Sequence, residues 1–106
     1  MATRELERSE WRQYFDAAAK QLPKMRVSIS VMAEDLGVQP ETQTSELIGV
    51  TYDSKDGSLE IITPGMTHQI ASPTEIFVQE EQGQLASIEV LTADGTKQVI
   101  ELETID

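Results

Sequence analysis

Residues Tyr52–Ile61 read YDSKDGSLEI, five carboxylate or aliphatic hydroxyl side chains (Asp53, Ser54, Asp56, Ser58, Glu60) around one glycine, Gly57. Such a run is either a calcium loop or a hairpin turn, and the choice decides the fold. An EF-hand loop wants acidic ligands at its first, third and fifth positions, glycine at the sixth and glutamate at the twelfth. Setting Gly57 as the sixth puts Tyr52 first and Thr63 twelfth, and neither can serve. The flanks are rich in Val, Ile and Thr, which suits strands and not helices. A hairpin needs residues that tolerate positive φ, and Asp56-Gly57 supplies them. The same device recurs at Asp94-Gly95, and a looser version at Gln82-Gly83. Glycine-centred turns between β runs predict a meander in which sequence neighbours pair antiparallel.

The strands follow from alternation. Met25, Val27, Ile29 and Val31 alternate with Arg26, Ser28, Ser30 and Met32, giving one buried face. Leu47–Asp53, Ser58–Thr63, Thr67–Ala71, Glu75–Glu80, Leu85–Thr92 and Lys97–Glu103 read as further strands. Met66, His68 and Ile70 share one side of theirs. Before all of these, Trp11, Tyr14, Phe15, Ala18, Ala19 and Leu22 form one apolar helical face. Ser9 is a suitable N-cap, and Pro23 stops the helix. Residues 33–46 show little periodicity, contain Gly37 and Pro40, and read as a long loop, either a flap or one that holds a short strand near Leu36–Val38. The expected architecture is one α+β domain over residues 1–106: an amphipathic helix at about 9–22 packed on a curved antiparallel meander of five to seven strands, an open barrel or roll, with strands from about 24 onward; a two-layer α+β sandwich is the close alternative.

Composition narrows function. The 106 residues carry a net charge of −11. Residues 1–30 hold six bases and four acids, whereas residues 31–106 hold two bases, Lys55 and Lys97, and fifteen acids. An acidic surface repels phosphate backbones and anionic lipid, so neither nucleic acid nor membrane is expected as a partner. No apolar run approaches a membrane span. The N-terminus MATRELERSEW lacks a hydrophobic signal core, so a cytoplasmic location is expected. The chain has no cysteine and one histidine, which excludes thiolate zinc sites and multi-histidine sites within one chain.

His68 is the natural candidate for a general base, with Ser72 or Ser58 as nucleophile and Asp53 or Glu75 to orient the ring. No nucleophile elbow, Walker loop, dinucleotide fingerprint or H-E-x-x-H motif accompanies it. Asp53 and Asp56 are the candidate ligands for a divalent cation. Trp11 and Tyr14 could stack a ligand, although core packing explains them as well. Glu101 and Glu103 share a strand face with Val99, which reads as outward and solvated.

The order of motifs resembles a family of small bacterial proteins, the domain of unknown function 5335. The resemblance rests on TREL (Thr3–Leu6), Glu10-Trp11 with Phe15, GVTYD (49–53), THQIASP (67–73) and IEVLTADGT (88–96). It implies a free-standing bacterial protein and carries no activity, catalytic residue or cofactor. The residues therefore favour a non-catalytic binding or assembly module that takes a protein partner or a second copy of itself, with no cofactor. A small hydrolase or lyase centred on His68 is the alternative, and a cation-binding domain the weaker one. No feature points to a particular small-molecule ligand.

Overall fold

The computed structural model describes residues 2–21, 24–33, 37–81 and 84–104. Strand β1 (Ala2–Leu6) leads through a 3₁₀ turn (Arg8–Glu10) into helix α1 (Trp11–Gln21). Eight strands follow: β2 (Met25–Ala33), β3 (Gly37–Glu46), β4 (Gly49–Asp53), β5 (Ser58–Thr63), β6 (Met66–Ala71), β7 (Pro73–Glu81), β8 (Gln84–Thr92) and β9 (Lys97–Thr104). They form two open antiparallel sheets. The large sheet has the order β1-β7-β8-β9-β2-β3 and the small one β4-β5-β6.

This corrects the single meander of five to seven strands. Consecutive strands do pair within β4-β5-β6 and within β7-β8-β9, as the turns require. The meander breaks where the chain changes sheets. Between β3 and β4 two successive N–H groups part company: Leu47 donates to Met25 O at 2.8 Å, in the large sheet, and Ile48 to Ile62 O at 2.8 Å, in the small one. Between β6 and β7 the break is Ser72, a non-glycine residue at φ +53°. Its N–H donates to Gly57 O at 3.1 Å, and its carbonyl accepts from Ala93 N–H at 3.0 Å. The strained residue thus ties both Asp-Gly turns together, and those bonds offset a backbone cost of about 1–2 kcal/mol.

The long loop expected at 33–46 is also corrected. Residues 37–46 form β3, paired along β2 with two register shifts. Polar composition and a proline conceal it, and a bulged edge strand tolerates both. Residues 34–36 lie outside the described residues, as do Leu22, Pro23 and the Gln82-Gly83 turn. The helix begins at Trp11, not at Ser9, because residues 8–10 close the 3₁₀ turn, with Glu10 N–H donating to Glu7 O at 2.9 Å. Of its expected apolar face, Trp11 and Phe15 are buried and Tyr14 and Ala18 pack against the core, whereas Ala19 is exposed.

The core lies between the two sheets and under α1. Ile76, Val78, Ile88, Val90, Ile100, Val27 and Ile29 face inward from the large sheet, and Val50, Leu59, Ile61 and Ile70 are buried in the small one. Cross-strand register sets Val78, Ile88, Ile100 and Ile29 in one row. Each fully buried Ile or Leu contributes about 1.5–3 kcal/mol of transfer free energy. The helix packs mainly on β4. Trp11 meets Tyr52 edge-on, with ring centroids 5.3 Å apart at 77°, and donates from Nε1 to Leu6 O at 3.3 Å. Arg8 lies over the Trp11 ring at 4.6 Å and donates to Pro73 O at 3.4 Å.

Candidate functional site

The residues picked out in the sequence are used for architecture. Asp53 Oδ1 accepts from Lys55 N–H at 2.9 Å and from Asp56 N–H at 3.4 Å, while Gly57 N–H donates to Asp53 O at 2.8 Å. That is an Asx-stabilised four-residue loop. Only Gly57 takes positive φ there, at +67°, so the pair expected at Asp56-Gly57 reduces to the glycine. No cluster of three potential metal ligands occurs among the described residues. At the Asp94-Gly95 turn, Gly95 stands at φ +88°. Hydrogen bonds from the Thr92 hydroxyl and then from Thr96 N–H hold the Asp94 carboxyl below its usual range.

His68 is half-buried and faces the large sheet. Its Nε2 lies 2.8 Å from Gln98 Oε1, an atom that only accepts, so the ring donates through Nε2. Residues thirty apart thereby join the two sheets. Among the described residues this partner is an amide, not a hydroxyl or a carboxylate. Ser58, 2% exposed, accepts from Gln69 Nε2 at 3.0 Å, Ser72 is the sheet-changing residue, and Glu75 is exposed. Trp11 and Tyr52 touch each other. A hollow of about 340 Å³ beside Tyr52 is lined by Arg12, Asp16, Thr51, Asp53, Lys55 and Glu60, without His68.

Among the described residues Tyr14 is the most perturbed group. Burial, and next the adjacent Glu80 carboxylate, push its hydroxyl up to about 12, against the opposing pull of Arg4, which lies 5.4 Å from the ring centroid. Since the folded form holds this proton more tightly than the unfolded chain, its stabilising contribution is whole below the ordinary value of 10.0. It is lost as pH rises through about 12. Alkaline unfolding followed by circular dichroism should begin in that window, and Tyr14→Phe should flatten the pH dependence there. An unchanged slope in the variant would remove Tyr14 from the account.

The uncovered surface lies on the other side of the large sheet. Cross-strand partners share a face, so register defines it. One row runs Glu5, Phe77, Glu89, Val99, Ser30 and a second Thr3, Gln79, Ser87, Glu101, Ser28; Leu91, Lys97 and Met32 make a third. Phe77, Leu91, Val99 and Met32 are half-buried, lie opposite the inward-facing residues of their strands, and belong to neither the core cluster nor the side chains packed against it. Beside them is a hollow of about 380 Å³ whose lining includes Glu81, Glu89, Glu101, Gln79, Ser87 and Val99. Lys97 Nζ stands 2.8 Å from Glu89 Oε1. Carboxylates around an apolar strip can accept hydrogen bonds from ammonium or guanidinium groups, and the strip can bury apolar surface. The outward placing of Val99, Glu101 and Glu103 was legible on one strand. Phe77, Leu91 and Met32 come from three others, and only register adds them.

No helix among the described residues is long and apolar enough to cross a membrane. Over residues 2–105 the chain matches the family described as Family of unknown function (DUF5335). An uncharacterized protein from Aquifex aeolicus (strain VF5) is 36% identical over 104 residues, covering 97% of this chain and 94% of that protein. No solved structure matches. The chain therefore belongs to the DUF5335 family.

Proposed function

We propose that this member of the DUF5335 family is a non-catalytic binding module, acting in the cytoplasm, whose large sheet receives a basic protein partner on its outer face. The observation that carries the reading is the uncovered apolar strip of Phe77, Leu91, Val99 and Met32 beside Glu81, Glu89 and Glu101. Single exposed ion pairs contribute about 0–1 kcal/mol each, so the strip supplies affinity and the acids supply selection and encounter rate. Net charge −11 selects for a basic protein and against nucleic acid or anionic lipid. The hydrolase reading centred on His68 has less behind it, because that ring is bonded to an amide. The cation reading is likewise weaker, because Asp53 serves the backbone of its own loop.

A synthetic peptide of alternating lysine and valine is a suitable probe. Its titration, followed by amide chemical shifts, should move resonances at 77–79, 87–91 and 97–101. The shifts should weaken with added salt and vanish in Glu89→Lys/Glu101→Lys. Shifts scattered over the acidic surface, or unaltered in that variant, would count decisively against the reading.

A further inference from the structure

An open sheet edge is a template for another strand unless charge, proline, bulges or a covering element blunt it. The two sheets have four edges. β1 carries Arg4 and Glu5, and Arg4 pairs with Glu10 at 3.0 Å. β3 contains Pro40, which has no N–H to offer, ends in the exposed Glu46, and is bulged against β2. β4 lies under α1. The fourth edge, β6, reads MTHQIA, with no carboxylate, no lysine or arginine and no proline. Its pairing with β5 is regular throughout, and among the described residues no strand pairs with its other side.

The direction of its backbone groups follows from one bond. Ser72 N–H donates to Gly57 O, so Ser72 belongs to a hydrogen-bonded pair. Antiparallel ladders alternate, hence Ile70, His68 and Met66 bond to β5 while Thr67, Gln69 and Ala71 turn their N–H and C=O groups outward. We infer that β6 is a self-association edge, on which a second copy of this chain adds its own β6 antiparallel about a two-fold axis at Gln69. Thr67 then opposes Ala71 of the second copy and Gln69 opposes Gln69, closing about six backbone hydrogen bonds. The two small sheets become one continuous sheet.

Charge argues for a second copy over a foreign basic segment. A chain of net charge −11 approaches its own copy most easily along an edge without carboxylates, and that edge has nothing to attract a cationic peptide. The nearest acid in register is Glu60, opposite Gln69. Across the junction the two Glu60 side chains are three strand spacings apart, about 14 Å, which exceeds the Debye length of about 8 Å at physiological salt. Met66 is 46% exposed, one of two large hydrophobic side chains that stand out so among the described residues, and it lies on this strand, where the second copy covers it.

Sedimentation velocity of the full chain, from low to high micromolar concentration, tests the assignment. The expected result is a concentration-dependent monomer–dimer equilibrium. Gln69→Lys sets two ammonium groups opposite one another and should raise the dimer dissociation constant by roughly tenfold or more. Gln69→Pro removes an outward N–H and should give a folded monomer by circular dichroism; should it fail to fold, Gln69→Lys decides. A wild-type monomer at every concentration overturns the inference. So does a dimer that Gln69→Lys leaves intact, or one that Phe77→Ala dissolves in its place. Gln69→Lys should leave the lysine-valine peptide titration unchanged, so failure here is distinguishable from failure of the outer-face reading.

Discussion

Trp11→Ala should lower the free energy of unfolding by about 3–5 kcal/mol, read from urea denaturation followed by circular dichroism. Domains of this kind are stable by about 5–15 kcal/mol in all, so the variant is left near the limit of folding. The side chain is 1% exposed, and its ring meets Tyr52 edge-on. Its Nε1–H reaches Leu6 O at the end of β1, and Arg8 stacks on it while reaching Pro73. Removing the ring opens a cavity and also cuts the link between helix, β1 and the start of β7. Trp11→Phe keeps the aromatic contact and loses the hydrogen bond, so about 1–2 kcal/mol is expected. Equal losses in the two variants would show that the ring's volume carries nothing.

The second large effect lies on β9. Ile100→Ala should cost about 2–5 kcal/mol, whereas Val99→Ala, one residue away, should cost about 1 kcal/mol or less. Ile100 is 0% exposed in the row with Ile88 and Ile29, and Val99 is half-buried on the opposite face. The contrast tests which face of the large sheet is core. It also tests the proposed partner surface, since Val99→Ala should weaken peptide binding while sparing stability. Similar destabilisation by the two variants would mean that some element covers the outer face.

The paired expectations show where periodicity carries and where it stops. Alternation in β2 gives its inner face, since Met25, Val27 and Ile29 are buried. Helical spacing gives Trp11 and Phe15 their place in the core. β1 was not legible: it turns Leu6 into the core but carries Arg4 and Glu5, and its five residues resemble a charged tail. β3 is hidden in the sequence because proline and polar residues suit a bulged edge as well as they suit a loop. The catalytic reading of His68 draws on residue type and on its place between Gly65 and Pro73. Its hydrogen-bond partner, Gln98, belongs to a different sheet and could not be inferred from spacing.

YDSKDGSLEI shows the division in small. That it turns, and turns at Gly57, was settled locally, because a glycine takes φ +67° without steric cost and an aspartate four residues earlier can hold the loop's N–H groups. The acidity of residues 31–106, the apolar helix face and the positions of the turns are local in the same sense. Which strands meet is a different kind of quantity. β1 finds β7, β2 finds β9, and the outer-face strip of Phe77, Val99, Leu91 and Met32 is assembled from four strands. Pairing over such separations depends on loop closure and on total apolar burial, which are properties of the whole chain and leave no period in any one segment.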